Sequence, residues 1–385
     1  MLYNHLVSTK SLYIHWPFCP YRCHFCPFVA LAGHDSFMHR YHAALKKEII
    51  LFADKCEKKE EIDTIFFGGG TPSTYPNDLL LDMFGTLKNR FIVTSNTEIT
   101  IEVNPGTVTK DQLLFWKQIG INRLSIGVQS LNDKVLQKLN RLQTSESVYR
   151  LLDVASNLFD NISIDLILGL PGITDEEWKS LLQTVVTWKI KHLSMYFLTV
   201  HENTQLYFGV KKKKVTLPPD DSLVDLYIWS VNFLKQHGFE QYETSSFSRS
   251  SNYECSHNKV YWDRKPYKGF GLGAFSFDGT LRLQNNKNLM NYLDLVEKEE
   301  DICIFSEKLT KEQIYLEKIM LGLRRKSGLK ISSLSSGLTK EKKEKLLHNI
   351  AWLKSNNFIY EKEGKLGLLP AGLTVQNEVF VKLSL

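Results

Sequence analysis

Cys19-Pro20-Tyr21-Arg22-Cys23-His24-Phe25-Cys26 places three cysteines within eight residues, directly after a short apolar stretch. The spacing is C-x3-C-x2-C. Thiolates are the standard ligands of iron–sulfur clusters, and three of them leave one iron of a four-iron cluster without a protein ligand. Such an iron can bind a small molecule. The competing readings are coincidence and zinc, which would need a fourth Cys or His, with His24 and His34 the nearby candidates. Six cysteines in 385 residues, three of them clustered, do not make a disulfide framework, and thiolate ligands suit a reduced compartment. Cys56, Cys255 and Cys303 read as ordinary thiols.

The rest of the composition sets bounds. A chain of this length predicts roughly two to three domains and can bury a sizeable core. Hydrophobic residues make up 43% and charged residues 23%, as in folded soluble proteins. No segment approaches the run of about 18 apolar residues that a membrane span needs. Residues 1–10 lack the apolar core of a signal peptide, so the expected location is the cytoplasm. The net charge of +6 is too small to imply nucleic acid by itself. The strongest basic run, Lys211 to Lys214, lies between Gly209 and Pro218-Pro219 and reads as a solvated loop.

Strand-like segments recur at helix-containing intervals: Ser11 to Trp16, Asp63 to Phe67, Glu98 to Val103, Arg123 to Val128, Ile162 to Leu168 and Leu193 to Thr199. Two of the intervening helices open with capping boxes, Thr109 with Gln112 and Thr174 with Glu177. Gly120 supplies a C-terminal stop for the first of these. Six parallel strands, several nearly continuous in Val, Ile, Leu and Phe, predict an α/β sheet covered by helices. A doubly wound sheet would satisfy this pattern. The polar residues that follow the strand ends favour instead a partial (β/α)6 TIM-type barrel with its site at the C-terminal mouth.

The expected organisation is a core barrel over 1–205, a sheet-extending region over 206–305 and a small winged-helix-like domain over 306–385. The second region contains a helical stretch, Asp221 to His237, a glycine-rich run, Gly269 to Gly273, and acidic Glu297 to Asp301. The third holds a Lys-rich helix from Thr339 to Leu347, balanced by Glu341 and Glu344, and a hairpin from Phe358 to Leu369 turning at Glu363-Gly364. No basic and aromatic stripe accompanies the charge, which argues against nucleic acid and for packing or a protein partner.

The second strand runs into Gly68-Gly69-Gly70-Thr71-Pro72-Ser73. There the missing side chains let backbone approach a ligand. The run lacks the Lys-Ser/Thr ending of a P-loop and the G-x-G-x-x-G spacing of a dinucleotide site. Further polar groups sit at strand ends: Glu102-Val103-Asn104-Pro105, Gln129-Ser130, and Asp165 within the stretch that ends Gly169-Leu170-Pro171-Gly172. Buried carboxylates need partners. Glu102 and Asp165 would pair either with a bound ligand or with Arg123 and Arg141.

Taken together, Tyr13-Ile14-His15-Trp16-Pro17-Phe18-Cys19, the three cysteines, the glycine turn, Glu102-x-Asn104-Pro105, Ser125 to Ser130 and Asp165 to Gly172 resemble the anaerobic coproporphyrinogen oxidase family of radical S-adenosylmethionine (SAM) proteins. The resemblance implies a [4Fe-4S] cluster on Cys19, Cys23 and Cys26. It also implies SAM bound by Tyr13, Phe25, Gly69, Gly70, Thr71, Glu102, Gln129, Arg141 and Asp165. The family holds oxygen-independent coproporphyrinogen III oxidases and a haem chaperone (HemW-like) branch. The oxidases carry a further cysteine two positions after the third ligand, where this chain has Phe28, and an N-terminal extension before the first strand. Both features favour the chaperone.

His257-Asn258-Lys259-Val260-Tyr261-Trp262 resembles the H-N-x-x-Y-W segment associated with haem in that branch. The resemblance makes His257, Asn258, Tyr261 and Trp262 haem contacts. Histidine is a common axial ligand, and aromatic faces suit the macrocycle. The alternative is that His257 and Asn258 cap local backbone while Tyr261 and Trp262 pack the core. Two positions depart from the branch: Gln143 and Phe275 stand where histidines are usual, so ligation would rest on His257. The expected partners are haem as cargo, haem-accepting proteins, some of them at membranes, and an electron donor such as flavodoxin or ferredoxin. No catalytic residue is assigned.

Overall fold

Six parallel strands lie side by side in their order along the chain: β1 (Ser11–Trp16), β2 (Thr64–Gly69), β3 (Glu98–Val103), β4 (Arg123–Gln129), β5 (Asn161–Leu168) and β6 (His192–Phe197). The structure is a computed structural model that describes residues 9–384. The reading of residues 1–10 therefore lies largely outside the described residues. The connecting helices are α1 (Met38–Ala53), α2 (Asn77–Arg90), α3 (Lys110–Ile119), α4 (Ser145–Leu158) and α5 (Asp175–Val185). Right-handed crossovers that always step in one direction place every helix on the same face. Accordingly α1 packs on α2, α2 on α3 and α3 on α4. A doubly wound sheet needs a reversal of strand order, and the six strands have none.

The sheet continues at both ends. Short antiparallel strands β7 (Glu240–Gln241) and β8 (Ser246–Ser248) extend it beyond β6, with β8 next to β6. On the other side β9 (Lys268–Phe270) runs parallel to β1. The outermost strands, β7 and β9, are not paired with each other, so the sheet is open.

One-sided winding explains the side chains. Successive residues of a strand point to opposite faces. In β4, Leu124, Ile126 and Val128 are fully buried in the main core, while Arg123, Ser125, Gly127 and Gln129 take the other face. In β5, Ile162, Ile164 and Leu166 alternate with Ser163, Asp165 and Ile167 in the same way. The helix-covered face is apolar and the opposite face is polar, which is where a site can form.

The capping boxes at Thr109/Gln112 and Thr174/Glu177 are both present, and Gly120 ends α3 with φ +111°. A three-stranded antiparallel sheet of β10 (Phe275–Phe277), β11 (Leu281–Asn285) and β12 (Cys303–Lys308) follows β9. Residues from Ile319 to Leu383 build a second hydrophobic core that includes Leu334, Leu346, Ile350, Leu353 and Leu366. There the Lys-rich helix runs farther than expected, over Lys340–Ser355, and its hairpin turns at Glu363 and Gly364, both with positive φ. Lys211 to Lys214 are all exposed, but Lys211 closes the helix Gln205–Lys211, so only Lys212 to Lys214 lie in the expected loop. No helix among the described residues is long and apolar enough to cross a membrane.

Candidate functional site

The cysteine loop lies beyond the C-terminal end of β1 and is tied down by its backbone and by side chains other than its cysteines. His24 N–H donates to the Leu139 carbonyl and Leu206 N–H to the His24 carbonyl, while Asn140 Nδ2 donates to the Arg22 carbonyl. Tyr21 Oη accepts from Asn104 Nδ2 at 2.7 Å, which links the loop to the end of β3. Cys19, Cys23 and Cys26 all border one cavity of about 540 Å³. Burial pushes the Cys19 thiol up to about 11 and raises that of Cys26, and in both cases the neighbouring thiols add to the effect. Thiols such as Cys19 and Cys26, whose ionisation is opposed by burial and by a neighbouring cysteine, fit a site in which iron supplies the compensating positive charge. Thr71 Oγ1 donates to Cys19 Sγ at 3.1 Å and Arg141 Nη1 approaches Cys23 Sγ at 3.7 Å, so two sulfurs already have donors.

Among the described residues no three His, Cys, Asp or Glu side chains are drawn together closely enough to hold a single ion. The two histidines weighed as zinc ligands turn Nδ1 to the carbonyls of Lys138 and Ala32.

The cavity also collects Phe25, Gly69, Gly70, Thr71, Glu102, Gln129, Arg141 and Asp165. Every residue expected to contact SAM lines it except Tyr13, whose hydroxyl is engaged with His15 Nδ1 at 3.1 Å. Burial lowers His15 to about 4, so the ring is neutral, its Nε2–H donates to the Val29 carbonyl and its Nδ1 accepts from Tyr13. Neither Glu102 nor Asp165 forms an ion pair with Arg123 or Arg141 among the described residues. Asp165 accepts from Ser125 Oγ at 2.9 Å, Glu102 accepts from Gly69 N–H at 3.1 Å, and Arg141 donates to the Gly127 carbonyl and to Gln143. Gln143, noted as a departure, is buried between Arg141 Nε and the Val128 carbonyl, so it positions the arginine rather than a ligand.

Gly70 is where the chain has no room for a side chain. A Cβ there would lie 2.4 Å from the Pro17 carbonyl oxygen and 2.9 Å from that of Phe18, both backbone atoms. Gly70→Ala is therefore expected to cost about 1–3 kcal/mol of stability and to move the cysteine loop. Thermal denaturation together with calorimetric SAM binding checks this, with both falling in the variant.

Burial pushes the Glu102 carboxyl up to about 8; nearby Asp165 adds to this and the Gly69 N–H opposes it. Between the ordinary carboxyl value and about 8, the folded protein holds a proton that the unfolded chain has released. Stability therefore falls as pH rises through that window. Glu102→Gln is expected to flatten this dependence by something of the order of a few kcal/mol. Chemical denaturation of the cofactor-free protein at pH 5.5 and pH 8.5 measures it, and an equal slope in both proteins would contradict the assignment.

The haem-like segment lies elsewhere. Residues Ser256–Trp262 form a short helix whose first amides are capped by Glu98, with Ser256 and His257 N–H each 3.0 Å from its carboxylate. Both nitrogens of His257 are occupied, Nδ1 by Thr64 Oγ1 at 2.8 Å and Nε2 by Tyr261 Oη at 2.9 Å, and its ring stacks on Phe66. Only 1% of His257 is exposed. Thr64 begins β2 and Gly69 ends it, so this helix and the cavity lie about 16 Å apart along the strand. As folded, His257 can take a metal only if one of these bonds breaks. Arg324 lies over the Trp262 ring. Phe275 is 40% exposed at the start of β10.

The sequence and fold were compared with known proteins. The radical SAM superfamily matches residues 13–185. The heme chaperone HemW of Bacillus subtilis is 31% identical over 374 residues, 96% of this chain and 98% of that protein. The chain belongs to the HemW family of radical SAM proteins. Heme chaperone HemW of Escherichia coli is 35% identical over 69% of each chain. The mitochondrial radical S-adenosyl methionine domain-containing protein 1 of Mus musculus is 33% identical over 69% of this chain and 60% of that one. In structure, E. coli coproporphyrinogen III oxidase (HemN), described as a radical SAM enzyme, superposes with a TM-score of 0.82 over 97% of this chain and 89% of its own, at 24% identity. That likeness shows the fold. Membership of the radical SAM family implies a [4Fe-4S] cluster and SAM, and the cavity offers both thiols and polar partners for them.

The cavity is also lined by residues that the sequence reading passed over. Tyr196 and Phe197 at the end of β6, with Leu198 and His201 just after it, form one wall of the cavity together with Ile167. The signal for them was an aromatic pair at the end of a strand, which on its own reads as core.

Proposed function

We propose that this chain is a haem chaperone that holds a [4Fe-4S] cluster on Cys19, Cys23 and Cys26, binds SAM beside it and delivers haem to acceptor proteins. The observation that carries the reading is the match to a heme chaperone along 98% of that relative's length, which spans the cavity residues and the second core alike. The cavity supports the cofactor assignments. Gly69, Gly70 and Thr71 would bring backbone to the methionine end of SAM. Glu102, Gln129, Arg141 and Asp165 would contact its remaining polar groups. SAM bound to a reduced cluster supplies radical chemistry, while these residues orient it and Phe25 and Ile167 exclude water.

Haem is cargo in this account, the acceptors include membrane-bound proteins, and a flavodoxin or ferredoxin supplies electrons. The segment His257 to Trp262 is a candidate haem contact that would have to open, and the protein acts in the cytoplasm. The working domains are 1–205 for the cluster and SAM, 206–305 for the haem motif and sheet extension, and 306–385 for the C-terminal unit.

The test is haem transfer. Anaerobically reconstituted protein loaded with haem is mixed with an apo-haemoprotein, and the Soret spectrum of the acceptor is followed. Transfer faster than from free haem with albumin as the carrier control supports the reading. In parallel, the protein is incubated with coproporphyrinogen III, SAM and reductant. Decarboxylation to protoporphyrinogen would replace the chaperone reading by that of an oxidase.

A further inference from the structure

The wall of the cavity that faces solvent differs in chemistry from its floor. The floor is polar, made of Glu102, Gln129, Arg141 and Asp165 at the strand ends. The rim is aromatic: Phe28 is 62% exposed, Tyr196 42% and Phe197 41%, and Phe25 lies behind them. Large rings left this open at the mouth of a cavity form an exposed apolar patch, with Phe197 also packed against Tyr227, and such patches mark binding sites. On the same rim sits His201, which is exposed. Its backbone carbonyl accepts from Thr204, but its imidazole makes no hydrogen bond among the described residues. It is the one histidine among the described residues that lines the cavity, and it contrasts with His257, both of whose nitrogens are bonded. Arg22 lies on the rim as well, with Nη2 at 3.5 Å from the Phe28 carbonyl and its charge exposed.

We infer that this rim is the haem site, with His201 Nε2 or Nδ1 as an axial ligand to the iron, Phe28, Tyr196 and Phe197 against the macrocycle, and Arg22 beside a propionate. The inference rests on the haem chaperone reading above and assigns its cargo to a place. A flat, largely apolar metal complex with two carboxylates is the ligand whose chemistry matches an exposed aromatic rim, an unbonded imidazole and an exposed guanidinium together. Haem at the rim would lie over SAM on the polar floor, so cargo and cofactor share one opening. No backbone has to open for binding, whereas ligation by His257 requires breaking a buried hydrogen bond.

The test is haemin titration of the full-length, anaerobically reconstituted protein, followed by the Soret band, with wild type, His201→Ala and His257→Ala side by side. Loss of an outer-shell partner already costs about 10–100-fold in metal affinity, and loss of the ligand itself should cost at least as much. His201→Ala is expected to weaken binding by at least about tenfold and to shift the Soret maximum. His257→Ala should keep the wild-type spectrum. His201 is exposed, so circular dichroism of that variant should match wild type, and Phe28→Ala offers a second surface variant that should lose affinity without changing the ligand-sensitive spectrum. If His201→Ala and Phe28→Ala titrate like wild type, the rim is not the site. If His257→Ala alone alters the spectrum, the ligand is His257. If wild type itself shows no saturable uptake, the chaperone reading fails first and the rim assignment falls with it.

Discussion

Cys23→Ala is expected to lose its iron and sulfide almost completely after anaerobic reconstitution, and with them the visible absorption of the cluster, while remaining folded. The loop carrying Cys23 is held by backbone hydrogen bonds to Leu139 and Leu206 and by Asn140, none of which uses the thiol. Cys23 is only partly buried, so its truncation should change the stability of the cofactor-free protein by no more than about 0.5 kcal/mol. A cluster left with two thiolates lacks the ligand set of the family's iron–sulfur chemistry. SAM affinity should fall in parallel, because the open iron is one of its anchors. Iron and sulfide analysis beside circular dichroism separates the outcomes. Wild-type iron and sulfide in Cys23→Ala would show that the loop does not hold the cluster.

Lys268→Met should be the most damaging substitution far from the cysteine loop. Lys268 Nζ and Glu48 Oε1 are 3.2 Å apart, and each side chain is 1% exposed. The Glu48 carboxylate also accepts from Gly271 N–H, Tyr292 Oη and Asn285 Nδ2, which fastens α1 to β9 and to the segment beyond it. Removing the ammonium leaves a carboxylate in the core without its cation, a loss of about 3–5 kcal/mol. At about 2–4 °C per kcal/mol the melting temperature should drop by roughly 6–20 °C. Glu48→Gln with Lys268→Met removes both charges and should recover part of the loss. A single variant as stable as wild type, measured by thermal denaturation, would show that the pair contributes little.

Much of the sheet was legible because its chemistry is local. Each of the six strands begins and ends within about two residues of its expected limits, since β-branched and aromatic runs bounded by Gly, Pro and Asn are read directly from sequence. The alternation within β4 and β5 was underestimated: Arg123, Ser125 and Asp165 interrupt runs that looked continuous, and those interruptions mark the polar face. Winding direction was legible only indirectly, from the polar residues at the strand ends, because a capping box or a crossover length does not say on which side of a strand the next one adds. The antiparallel strands β10 to β12 were missed because Leu289–Glu297, a helix, separates the last two. For the site, the cysteines and the glycine turn were legible from spacing alone. The engagement of His257 by Thr64 and Glu98 was not, since those partners lie more than 150 residues away. His201 was invisible for a related reason: an isolated histidine acquires meaning only when the cavity wall around it is known.

The most direct measurement is the electron paramagnetic resonance spectrum of the dithionite-reduced protein, recorded with and without SAM. Three cysteines bordering one cavity with the glycine turn predict a reduced [4Fe-4S] signal whose g-values change when SAM occupies the open iron. A reduced cluster with an identical spectrum in the presence of saturating SAM would contradict the account, because the cavity would then not bring the cofactor to the iron.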